Sequence, residues 1–232
     1  MLEIKGFNPN TLLDWDGKIA SIIFLPGCNF RCPYCHASAL VKNAAGLPPV
    51  QLSEVDAYLE KNRAWIDGVV ISGGEATWHN GLPALVDHFR GLALAVKLYT
   101  NGSRPAVLCD LVQSGRLAAL SMDLKGPLDD RYSRAAGTPV DLDAIRASID
   151  IVMSSGIPYE FRTTVCPTIL AHDDVVDAAR AIEGAELFIL QQFRPVDCLD
   201  PEFEKIKPYT EDELGRMAES VKGMVKKCIV QK

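Results

Sequence analysis

Three of the chain's seven cysteines fall within eight residues, in the segment Gly27-Cys28-Asn29-Phe30-Arg31-Cys32-Pro33-Tyr34-Cys35-His36. The spacing Cys-x3-Cys-x2-Cys lets Cys28, Cys32 and Cys35 wrap one compact metal centre. Thiolates are soft ligands and select iron-sulfur clusters, zinc or Cu(I). No fourth protein ligand stands out beside them, so a [4Fe-4S] cluster held here keeps one iron open. A zinc site completed by His36 or by a distant cysteine is the alternative metal reading. Three buried thiols with no metal are the other. An odd number of cysteines with three crowded together suits a reducing compartment better than spaced disulfides.

Positioning such a loop requires a scaffold, and the sequence supplies a regular one. Ile19 to Leu25, Gly68 to Ser72, Ala95 to Thr100, Leu117 to Leu124, Tyr159 to Cys166 and Glu186 to Phe193 each read as a short buried strand. Between them Leu82, Leu85, Val86 and Phe89 recur at helical spacing, as do Leu142, Ile145, Ile149 and Val152. Thr210 and Glu213 form a capping box for a final helix carrying Leu214, Met217, Val221, Val225 and Cys228 on one face. Strands alternating with helices imply parallel βαβ units. The expected fold class is therefore α/β, a partial (β/α)6 TIM-like barrel of parallel strands in a single domain. Its parts are an N-terminal segment over 1–18, a barrel core over about 19–195 and a C-terminal helix over about 210–228.

In such a barrel the chemistry belongs where the strands end, and the unusual residues do follow strands. Gly73-Gly74-Glu75 ends the second: glycine lets backbone approach a ligand, and the carboxylate accepts hydrogen bonds from an ammonium group. Thr100-Asn101-Gly102 ends the third. Asp123 and Lys125 close the fourth, on one side of the strand by period-two alternation, as a ligand pair or an internal ion pair. Arg162 lies in the fifth with Glu160 and Thr164 on the same side; it is either a bidentate donor to a carboxylate or the partner of Glu160. Of the remaining cysteines, Cys109 and Cys228 read as helical core residues, whereas Cys166 and Cys198 follow strands toward the barrel mouth.

Cys-x3-Cys-x-Tyr34-Cys, with the later motifs, resembles the signature of the radical S-adenosylmethionine (SAM) superfamily. The resemblance implies one [4Fe-4S] cluster and reductive cleavage of SAM to methionine and a 5'-deoxyadenosyl radical. It implies that Tyr34 and His36 line the adenine side, that Gly73, Gly74 and Glu75 hold the α-amino group, and that Asp123 and Lys125 contact the ribose and carboxylate. Thr100 and Asn101 resemble the third-strand ending of glycyl-radical activating enzymes. The segment from Lys5 to Lys18 and the Gln191-Gln192-Phe193-Arg194-Pro195 run extend the likeness to anaerobic ribonucleoside-triphosphate reductase activating proteins. The partner so implied is a glycyl-radical enzyme, an anaerobic ribonucleotide reductase, with flavodoxin or ferredoxin as electron donor. The chain departs from the pattern at Ala37, Ala76 and Tyr99, the last where an aspartate helps hold a monovalent cation. Gln192 or Arg194 stands in for an absent SAM-binding histidine. A radical SAM enzyme acting on a small molecule, similar to 7-carboxy-7-deazaguanine synthase, is a second reading, and an iron-sulfur electron-transfer module a third.

At 232 residues, 48% of them apolar and 23% charged, the chain suffices for one sizeable core. No charged leader precedes an apolar core, and no apolar run reaches membrane-spanning length. A cytoplasmic protein with no membrane partner is expected. A net charge of -6 argues against a nucleic-acid partner.

Overall fold

The computed structural model describes residues 2–231. Its eight strands form one sheet in chain order: β1 Gly6–Thr11, β2 Ala20–Leu25, β3 Gly68–Gly73, β4 Ala95–Thr100, β5 Ala119–Asp123, β6 Tyr159–Val165, β7 Phe188–Gln192 and β8 Cys228–Gln231. Neighbours from β2 to β8 pair in parallel, whereas β1 runs antiparallel to β2. β1 and β8 are the two edges, so the sheet curls into an open, partial barrel.

Six strands match the expected runs to within one or two residues, and two were not expected. β1 reads GFNPNT, whose glycine, proline and asparagines are poor strand formers. It forms because it is an edge: Pro9 needs no ladder partner there, and the register with β2 slips between Asn8 and Thr11. β8 corrects the C-terminal helix. The helix begins at the capping box as expected, with the Thr210 side chain accepting from Glu213 N, but it spans only Glu211–Ser220. Gly223 follows at φ 85°, a left-handed conformation that stops the helix. Cys228 then pairs with Phe188 in the sheet.

Alternation gives each strand two faces. The outer face buries Ile23, Leu25, Ile71, Leu98, Met122 and Phe161 in the main apolar core beneath the helices. Those helices include Leu82–Gly91, with Leu82, Leu85, Val86 and Phe89 buried, and Leu142–Met153, with Ile145, Ile149 and Val152 buried. The inner face is different. At its lower end Trp15 packs against Ala20, Ile22, Val70 and Ala119 as a plug. Gly68 makes room for it, since a Cβ there would come within 2.8 Å of the indole. Toward the strands' C-terminal ends the inner face turns polar, through Lys97, Tyr99, Ser121, Glu160 and Arg162. No helix among the described residues is long and apolar enough to cross a membrane.

Candidate active site

The cysteine loop leaves β2 at Gly27, whose φ of 74° turns the chain. Backbone bonds from distant segments fix its course. Gly27 N donates to Leu40 O at 2.8 Å, Arg31 N to Ala136 O at 2.8 Å, and Asp200 N to Pro33 O at 2.9 Å. Phe30 and Tyr34, 3% and 4% exposed, anchor it in the core. Between these anchors Cys28, Cys32 and Cys35 turn into one cavity as free thiols. Burial raises the pKa of all three and pushes Cys32 up to about 12. They are thiols until a cation draws the protons off.

Among the described residues, no three histidine, cysteine, aspartate or glutamate side chains converge on a single-ion position. His36 is turned elsewhere: its Nε2 lies 2.6 Å from Arg194 O and its ring stacks on Phe193 at 6.0 Å. Burial holds its pKa below the ordinary value, so the neutral ring donates to that carbonyl. Thiols that share a cavity without converging fit a multi-iron cluster, which spreads its ligands over several irons, better than zinc closed by His36.

The end of β3 fits against this loop with no space to spare. Gly74 N donates to Leu25 O and Glu75 N to Gly27 O. Glu75, 2% exposed, then ties the ends of β3 and β4 together. Its Oε1 accepts from Thr100 Oγ1 at 2.8 Å and from Thr77 N and Oγ1, and its Oε2 accepts from Asn101 N at 2.6 Å. Burial raises the Glu75 pKa while these bonds oppose it. Asn101 reaches back to the loop, donating from Nδ2 to Asn29 Oδ1 at 3.0 Å and to Cys28 Sγ at 3.8 Å. Across the cavity Lys125 Nζ lies 2.9 Å from Asp123 Oδ2. Burial works against its charge, but Asp123 and the nearby Cys32 and Tyr34 hold the lysine pKa above its usual value. The three thiols, Glu75, Thr100, Asn101, Asp123 and Lys125 face one cavity of about 320 Å3.

The family model for the radical SAM superfamily matches residues 22–182. The chain belongs to the radical SAM superfamily. A protein of Methanocaldococcus jannaschii, provisionally named a glycyl-radical enzyme activating enzyme, is 26% identical over 234 residues, covering 98% of this chain and 95% of its own. A protein of Methanococcus aeolicus, provisionally named GTP 3',8-cyclase, is 26% identical over 222 residues, covering 93% of this chain and 70% of its own. Among solved structures, Streptococcus suis SuiB bound to SAM shares the fold at a TM-score of 0.67 and 15% identity, over 91% of this chain and 52% of that one. Radical SAM proteins use a [4Fe-4S] cluster and SAM, and the three-thiol cavity fits that pair.

Several features of this radical SAM site were not legible beforehand. Phe24, Phe30, Val41 and Ser72 also line the cavity. From β7 it is Gln191 that faces inward; Gln192 donates to Tyr209 O on the other side of the sheet, and Arg194 is exposed beyond the cavity. Cys166 and Cys198 are buried outside it, and Cys109 sits half-buried in the helix Pro105–Gln113. Gly73, Thr100 and Asn101 line the cavity, but Arg162 does not. Arg162 lies beneath the floor, donating from Nη1 to Tyr99 Oη at 2.8 Å and from Nη2 to Gln191 Oε1 at 3.2 Å and Gln231 Oε1 at 3.3 Å. It also stands 4.0 Å from Glu160. Tyr99 donates in turn to Asp14 O at 2.9 Å, and Lys97 and Arg162 each lie 5.0 Å from its ring centre.

Lys97 completes this floor, with Nζ 2.8 Å from Glu160 Oε1 and 2.7 Å from Asp14 O. Removing one member of a buried pair strands the other. Lys97→Ala is therefore expected to destabilise the protein by about 3 kcal/mol in urea unfolding, with Arg162 covering part of the loss. The Lys97→Met, Glu160→Gln double variant should recover most of it. A single-variant cost below about 1 kcal/mol, typical of an exposed pair, would show that the pair is not desolvated.

Proposed function

We propose that the protein is a glycyl-radical enzyme activating enzyme, with an anaerobic ribonucleotide reductase as its partner. The observation that carries this reading is the end-to-end likeness to the M. jannaschii protein of that name. The cavity supports it. At about 320 Å3 it lies at the lower end of the range for small-molecule sites. SAM fills such a space, so the second reactant approaches from the mouth, as a protein loop does.

Cys28, Cys32 and Cys35 would hold the cluster beside SAM. Glu75 has acceptor capacity left on Oε2 for the α-amino group, while Thr100 and Asn101 keep that carboxylate in place. Asp123 and Lys125 hold the ribose and carboxylate, and Tyr34 and His36 border the adenine. Arg162 orders the floor through Tyr99 and Gln191. The bound cluster would supply the one electron that divides SAM into methionine and the 5'-deoxyadenosyl radical, and hydrogen-atom transfer to that radical from a glycine Cα would give 5'-deoxyadenosine and a glycyl radical. The electron comes from a reduced flavodoxin or ferredoxin.

Anaerobic incubation of reconstituted protein with SAM, dithionite and the same organism's anaerobic ribonucleotide reductase should produce a glycyl-radical EPR doublet. Full SAM cleavage without the doublet would refute this partner. The GTP 3',8-cyclase likeness also covers 93% of the chain and sustains a small-molecule reading. GTP in place of the reductase is the matching control, and GTP-dependent product would favour that reading.

A further inference from the structure

A second hollow of about 600 Å3 adjoins the cavity and shares Phe24, His36 and Ala37 with it. Its other walls are Lys5 and Gly6 at the start of β1, residues 38–40, Leu47, and Asp197 on the loop after β7. We propose that this groove guides an extended polypeptide segment bearing the target glycine to the cavity mouth, with Asp197 receiving a basic side chain or backbone N–H of that segment. The inference rests on the activase reading and adds to it the docking surface and its chemistry.

Continuity with the cavity gives the groove its destination. Its lining gives it an occupant. Gly6, Ala37 and Ala39 have little or no side chain, so a main chain can lie close, while Phe24, Leu40 and Leu47 offer apolar contact. Lys5 is not available to a ligand: its ammonium, 4% exposed, is held by Glu3 at 2.9 Å and by Leu47 O at 2.9 Å. Asp197 is exposed, and among the described residues no hydrogen bond or salt bridge engages its carboxylate. Its φ of 54° is left-handed, shared among the described non-glycine residues only with Ala93, and it fixes the carboxylate's direction at the tip of its loop. Arg194, on the same loop, lines an adjoining hollow with His36 and Asp197 but not the groove itself. The free charge on the groove wall is therefore negative. A nucleoside triphosphate or a purine carboxylate would meet like charge on that wall, whereas a neutral or basic peptide meets a matching one.

Three variants confined to the groove test this. Ala39→Trp fills it, Asp197→Lys reverses its charge, and Asp197→Asn removes the charge while keeping a side chain that tolerates left-handed backbone. Each reconstituted holoenzyme is first checked for iron content and for dithionite-driven 5'-deoxyadenosine formation without partner, expected within about twofold of the parent because no SAM-pocket residue is altered. With the purified reductase, Ala39→Trp and Asp197→Lys should lower the glycyl-radical EPR yield by roughly tenfold or more, and Asp197→Asn by a smaller factor. A photoreactive benzoylphenylalanine at Leu47 should cross-link to the reductase segment containing the radical glycine, a readout independent of turnover. Parent-like radical yields in all three variants, or cross-links only to other regions, would overturn the groove and leave the activase reading standing. Failure of the parent itself to generate the radical would overturn both.

Discussion

A Gly74→Ala protein is expected to lose its cluster. An added Cβ would stand 1.7 Å from Gly27 O, 2.4 Å from Gly27 C and 3.1 Å from Cys28 N. Those are backbone atoms, so no side chain can swing aside. Two hydrogen bonds prevent separation of the segments, Gly74 N to Leu25 O at 2.9 Å and Glu75 N to Gly27 O at 2.8 Å. Alanine must therefore displace the start of the cysteine loop, and Cys28 moves with it. Forced overpacking against backbone costs roughly 1–3 kcal/mol and sometimes more. Here the displaced atoms also carry the metal site. Iron should fall from about four atoms per chain to below about one, with SAM cleavage lost in parallel. Gly91→Ala is the control, since a Cβ there meets nothing within 4 Å at the end of a helix. It should be neutral, or stabilising by up to about 1 kcal/mol. Normal iron loading in Gly74→Ala would disprove the contact.

Cys32→Ala should be as severe for chemistry and milder for folding. Cys32 is 7% exposed, and that burial pushes its pKa up to about 12. In the metal-free protein the change to alanine removes one buried sulfur, a loss of about 1–2 kcal/mol on the scale of small core truncations. In the loaded protein it removes one of three ligands, and the spare thiols are poorly placed to replace it. Cys198 points its S–H toward Arg194 O and Val196 O, and Cys166 sits 3.9 Å from Thr168 Oγ1. The expected outcome is below about one iron per chain and SAM cleavage reduced by roughly a thousandfold or more. Iron and sulfide analysis with chromatographic assay of 5'-deoxyadenosine would decide it. Retention of four irons would mean that another side chain serves as third ligand.

β2 to β7 were legible because each carries apolar residues along a short run, continuously as in Phe188-Ile189-Leu190 or along one side as in Tyr159, Phe161 and Val165. Burial on the sheet rewards that composition directly. β1 was illegible for the converse reason, since its stability comes from the partner strand. β8 was hidden by helical spacing that runs on past Ser220 through Val221, Val225 and Cys228; a single glycine conformation ends the helix. In the site, residue type and period-two alternation were enough to set Asp123 beside Lys125 and to turn Arg162 inward. They carry no information on partners. Arg162 bonds residues 63, 29 and 69 positions away, and only the curl of the sheet sets those side by side. Asp197 had no signal at all, because its backbone conformation and free carboxylate are properties of the folded loop.

Strand order equal to chain order has a consequence for assembly. As the chain leaves the ribosome, each new strand docks on the one just made, and no later strand inserts between earlier ones. The cysteine loop meets its neighbours in the same sequence: Leu40, then Glu75, then Asn101, then Ala136. The loop from Arg194 to Asp200, which engages His36 and Pro33, arrives about sixty residues after Ala136. There is thus an interval in synthesis when the cysteine loop already has its partners from the earlier strands but still lacks the anchors at His36 and Pro33.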